Sequence, residues 1–99
     1  MATTPEGKVK KKVVDLLKKY NVYYFYPVTG GFGRSGVPDV VCCMDGRFLA
    51  VECKAGKNKP TPLQEAEIEK IRAAKGCAFV INETNLDLLE TYLKEHHGR

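Results

Sequence analysis

The chain has 99 residues, 43% hydrophobic and 28% charged, with a formal net charge of +4. That length allows one domain, spanning residues 1–99, and the composition is ordinary for a soluble globular protein. No apolar run approaches the roughly 20 residues of a membrane span. The opening "MATTPEGKVKKK" has no apolar stretch behind its charges, so a secretory signal is excluded and a cytoplasmic protein is expected.

Charge is unevenly spread. Residues 1–60 carry nine Lys and two Arg against five acids, whereas residues 61–99 carry three Lys and two Arg against seven. A basic half permits a polyanionic partner without demanding one. None of the four cysteines, Cys42, Cys43, Cys53 and Cys77, forms a C-x-x-C pair or has a histidine nearby in sequence. They are expected to be buried free thiols rather than zinc ligands or disulfides. His96 and His97 read as solvated.

Thr4-Pro5 suits an N-cap followed by Pro at the first helical position. A helix is predicted from there to about Tyr20, with Val9, Val13, Leu16, Leu17 and Tyr20 on its buried stripe. "VYYFYPV", residues 22–28, reads as a strand whose Pro27 marks an edge or irregularity. "TGGFGRSG", residues 29–36, has four glycines and reads as a flexible loop. Residues 37–44 and 47–54 are β-rich runs on either side of Asp45-Gly46, a strong hairpin signal. Thr61-Pro62-Leu63-Gln64 is a capping box opening a helix to about Lys75, with Leu63, Ile68, Ile71 and Ala74 facing inward. A short strand follows at residues 77–81. The last helix opens between Thr84 and Asp87 and buries Leu86, Leu89 and Leu93. The order α-β-β-β-α-β-α predicts a mixed four-stranded sheet flanked by helices, its last strand reached by a parallel crossover.

The hairpin turn acts as a ruler. A two-residue turn sets Met44 against Arg47 and Val40 against Val51, so Asp39 falls opposite Glu52, their Cβ atoms roughly 5 Å apart. Lys54, two residues on, shares their sheet face. Facing carboxylates destabilise a sheet unless something neutralises them. A hard divalent cation such as Mg²⁺ or Mn²⁺ would do so, and an adjacent lysine could then polarise a water or neutralise a phosphate. A plain ion pair of Lys54 with the acids is the competing explanation. Pro38 supplies no N–H, so the ladder should end or distort beside Asp39.

"VPDVVCCMDGRFLAVECK" resembles the motif of PD-(D/E)xK nucleases: Pro38-Asp39, a hairpin, then Glu52-Cys53-Lys54. The longer stretch from Arg34 to Gln64 resembles the VRR-NUC branch, with its Ser-Gly-x-Pro-Asp start, Gly-Arg after the turn and Thr-Pro-x-Gln helix start. The resemblance implies a restriction-endonuclease-like α/β core and Mg²⁺- or Mn²⁺-dependent hydrolysis of DNA phosphodiester bonds. It implies Asp39, Glu52 and the Cys53 backbone carbonyl as metal ligands, and Lys54 as the residue that orients the water. Gln64 would steady the site, unless it serves the capping box alone. Glu6 would hold a second metal, unless it is simply a favourable acid in a first helical turn. Arg34, Ser35, Lys57 and Lys59 would contact DNA, or be plain solvated charge. Related Holliday-junction resolvases imply a homodimer cutting branched DNA in a bacterial or virus-infected cell. A non-specific or nicking nuclease of this fold, and a non-catalytic nucleic-acid-binding module, are the alternatives.

Overall fold

The computed structural model describes residues 4–28 and 33–97. Residues 29–32 of the predicted glycine-rich loop therefore lie outside the described residues.

Helix α1 spans Pro5–Lys19, and the Thr4 hydroxyl caps it by accepting the Gly7 N–H at 3.0 Å. Its buried residues are Val9, Val13, Val14 and Leu17. Val14 joins the expected stripe, while Leu16 and Tyr20 are only half-buried at its margin. Strands β1 (Tyr23–Phe25), β2 (Val40–Met44) and β3 (Arg47–Cys53) follow, then α2 (Pro62–Ala73), β4 (Cys77–Ile81) and α3 (Leu86–His96). The sheet order is β1-β2-β3-β4, antiparallel except for the parallel β3–β4 pair. This is the predicted mixed sheet flanked by helices.

Alternation along the strands gives the sheet two unlike faces. One face carries Val40, Cys42, Met44, Leu49, Val51, Cys53 and Ile81, which bury themselves against α1 and α3 through Val9, Val13, Leu17, Leu89 and Leu93. The opposite face carries Tyr23, Phe25, Cys43, Phe48, Ala50 and Glu52. Helix α2 lies over this second face at the β4 side, where a Cβ on Gly76 would meet both Ile71 of α2 and Phe48 of β3. The β1 side is open, with Tyr23, Phe25 and Phe48 exposed.

Several boundaries and faces differ from expectation. Strand β1 stops at Phe25 rather than continuing to Val28, and β2 begins at Val40 rather than Val37. Cys43 is exposed and Cys77 half-buried, because Cys43 points to the uncovered part of the second face. Burial pushes the Cys42 and Cys53 thiols up to about 12, so both are inert at neutral pH. In α2, Ile68 is buried, but Leu63 and Ala74 are exposed and Glu67 takes an inward position. The helix ends at Ala73, and Lys75 adopts a left-handed conformation just before Gly76. His96 is half-buried, its ring 4.3 Å from that of Tyr92.

Candidate active site

The hairpin register holds through its whole ladder. Asp45 and Gly46 both have positive φ, as a type I′ turn requires. Pairing then runs without a bulge from Met44 and Arg47 to Val40 and Val51. The next pair would be Asp39 and Glu52, and there backbone pairing stops. Asp39 Oδ2 instead accepts the Cys53 N–H at 2.8 Å. The carboxylate thus takes the place of a strand carbonyl, one residue after a proline that cannot donate to the ladder. On the other side of β3, the Lys54 N–H donates to the Ile81 carbonyl at 2.9 Å.

Glu52 and Lys54 are both buried, at 2% and 8% exposure. Lys54 Nζ lies 3.6 Å from Glu52 Oε2. The other carboxylate oxygen, Glu52 Oε1, is buried with no hydrogen-bond partner among the described residues. Burial, and then the charge of Asp39, push the Glu52 carboxyl up to about 7, against the opposing pull of Lys54. Glu6 adds a smaller push in the same direction, so the first turn of α1 reaches electrostatically into the site.

An orphaned buried carboxylate oxygen is normally costly. Here the carboxylate also feels the negative charge of Asp39, a combination that suits a hard cation. The Cys53 N–H, bonded to Asp39, is the backbone group the structure brings to this carboxylate. Among the described residues, no three His, Cys, Asp or Glu side chains form a metal-holding group. The protein's donors are thus few, and water or substrate oxygens would complete the shell, as Mg²⁺ prefers.

The remaining candidates are placed unevenly. Gln64 Oε1 accepts the Thr61 N–H at 2.8 Å and the Gln64 N–H donates to Thr61 Oγ1 at 3.3 Å, so its carbonyl oxygen serves the capping box. Arg34 Nε donates to Glu67 Oε1 at 3.2 Å, pinning the segment before Asp39 to α2. Ser35 is exposed beside it, and Lys57 and Lys59 are exposed in the loop after β3. That loop is tied down by the Gly56 N–H, which both Glu83 carboxylate oxygens accept at 2.9 and 3.1 Å. Glu67 escaped the sequence reading. It lies in a charged run that looks solvated, and its partner Arg34 is 33 residues away.

Gly36 locks this arrangement from a second point. Its φ is +83°, and a Cβ there would lie 2.6 Å from the Leu63 carbonyl oxygen at the start of α2. Gly36→Ala therefore meets both a left-handed backbone and a collision. It is expected to cost more than about 1 kcal/mol and to lower the melting temperature by about 4–8 °C or more in a thermal denaturation scan.

Comparison with known proteins gives the site a context. A solved structure named "VRR_NUC domain protein" superposes with a TM-score of 0.72 over 94% of this chain and 88% of its own, at 21% identity, a likeness of fold. The mixed sheet, its flanking helices and that likeness define the restriction-endonuclease-like class of nuclease folds. Residues 7–90 match the family model described as archaeal Holliday junction resolvase (Hjc). The chain is also 33% identical over 82 residues to "Putative nuclease p44" of Acyrthosiphon pisum secondary endosymbiont phage 1, covering 82% of this chain and 86% of that protein. The protein belongs to the Hjc family of nucleases.

Proposed function

We propose that the protein is a Mg²⁺- or Mn²⁺-dependent endonuclease that hydrolyses phosphodiester bonds in branched DNA. The observation that carries this reading is the buried Glu52, one oxygen of which has no hydrogen-bond partner among the described residues while Lys54 faces the other and the charge of Asp39 acts on it. A binding module without turnover would have little reason to bury carboxylates where its polyanionic ligand docks.

Asp39, Glu52 and the Cys53 carbonyl would hold the cation, which when bound would supply Lewis-acid stabilisation of charge on the scissile phosphate. Lys54 holds the attacking water and screens the negative charge that builds on the phosphate oxygens. Glu6 supports the carboxylate cluster from α1, and Gln64 fixes the start of α2 beside it. Arg34, Ser35, Lys57 and Lys59 contact the DNA backbone, with Arg34 oriented by Glu67. Two copies form the working unit. The exposed aromatics Tyr23, Phe25 and Phe48 support this, as does β1 lying at the sheet edge.

Labelled four-way junction, flap, bubble and linear duplex incubated with Mg²⁺, Mn²⁺ or EDTA test the reading. Cutting of the branched forms only with metal is expected. Cutting that survives EDTA would overturn the metal-dependent mechanism, and equal cutting of every substrate would overturn the preference for branches.

A further inference from the structure

Helix α1 displays six lysines between Lys8 and Lys19. Two are neutralised locally: Lys11 pairs with Asp15 at 3.0 Å and Lys19 with Glu90 at 2.9 Å. Lys10 is different. Its Nζ lies 4.3 Å from the ring centroid of Tyr26, and among the described residues no carboxylate lies within ion-pair distance of it.

Tyr26 directly follows β1. Continuing the β1–β2 register by one residue sets Tyr26 beside Val40, the neighbour of Asp39. Alternation puts its ring on the α1 side of the sheet, the side of Tyr24, whose ring packs edge-on against it at 6.0 Å. Between this ring and α1 runs a groove lined by Gly7, Val14, the lysines Lys8, Lys10, Lys11 and Lys18, and one acid, Asp15, which is paired with Lys11. Its near end, at Gly7, adjoins Glu6, the α1 acid whose field reaches Glu52. The groove carries four lysines against one acid and has a half-exposed aromatic wall, and the register sets that wall beside Val40, next to Asp39.

Lysines beside an accessible ring are the elements of a single-strand track, where ammonium groups follow phosphates and rings stack on bases. A paired base inside a duplex has no free face to offer such a ring. We propose that this groove binds an unpaired DNA strand leaving the active site, with Lys10 on a backbone phosphate and Tyr26 stacked on a base. This rests on the nuclease reading above and extends its substrates to branched DNA with a single-stranded arm.

Fluorescence anisotropy in EDTA, with a labelled oligothymidine and a hairpin duplex of equal charge, tests the proposal. The wild type is expected to bind both. Lys10→Ala should weaken oligothymidine binding several-fold and reduce the slope of log affinity against log salt by about 0.7. Tyr26→Leu should weaken oligothymidine binding roughly tenfold and leave the duplex affinity unchanged. Lys19→Ala, already paired with Glu90, serves as the control and should change neither. Absence of oligothymidine binding by the wild type would overturn the track. So would an unchanged affinity and slope in Lys10→Ala, or equal loss on both DNAs in Tyr26→Leu. Metal-dependent cutting of flap DNA by the wild type reports on the nuclease reading separately. If cutting persists while these binding effects are absent, the track fails and the nuclease reading stands.

Discussion

Asp39→Asn is expected to fold like the wild type and to cut DNA at least about a thousandfold more slowly. The two expectations come from the two tasks of one side chain. Its structural task is to accept the Cys53 N–H where the ladder has run out. An asparagine carbonyl oxygen can do the same, so the melting temperature should move little. Its proposed chemical task, holding the cation, needs full negative charge next to Glu52, and an amide lacks it. Losing several kcal/mol of transition-state charge stabilisation, at about 1.4 kcal/mol per factor of ten, gives the thousandfold estimate. Single-turnover cutting of a labelled branched substrate, with circular dichroism melts of both proteins, measures both effects. Near-normal cutting by a folded Asp39→Asn would remove Asp39 from the reaction.

The second large effect is on stability. Burial and the charge of Asp39 raise the Glu52 carboxyl to about 7, above its ordinary value of 4.5. Between those two values the folded protein holds a proton that the unfolded chain has released. Stability must then fall as pH rises through this window, because the unfolded state binds fewer protons. Metal-free protein is expected to lose on the order of 2 kcal/mol through Glu52 between pH 5 and pH 8, roughly 10 °C in melting temperature. Glu52→Gln keeps the volume without the charge, so its melting curve should be flatter across the range and higher at pH 8. A divalent cation should stabilise the wild type more at pH 8 than at pH 5, since it competes with the proton for the same carboxylate. Differential scanning fluorimetry in EDTA and in Mg²⁺ measures all three. Identical pH profiles for wild type and Glu52→Gln would show that the carboxylate is not strained.

The hairpin was legible in the sequence because few local geometries fit it. A two-residue turn with positive φ at both positions fixes the register, and period-two alternation then assigns every side chain to a face. The proline before Asp39 also marked where pairing would stop. What replaces the pairing was not legible, because a side chain bonding to a neighbouring strand leaves no periodic trace. The β1 strand looked longer than it is, since aromatic and β-branched residues report a preference for a pleated surface and not an actual ladder. The Arg34–Glu67 pair joins residues that only the tertiary fold brings together. Gln64 was half legible: the capping box formed as read, and that same box engages the oxygen that the family resemblance assigns to the site.

Glu52 and Lys54 are carried on or next to β3, which has paired neighbours on both sides. In native-state opening, such a strand is among the last parts of a protein to exchange its amide hydrogens, whereas edge strands open early and at lower free energy. The protein can therefore breathe at β1, where its aromatics are exposed, without taking apart the carboxylates. The proposed chemistry would then rest on the part of the sheet expected to open last.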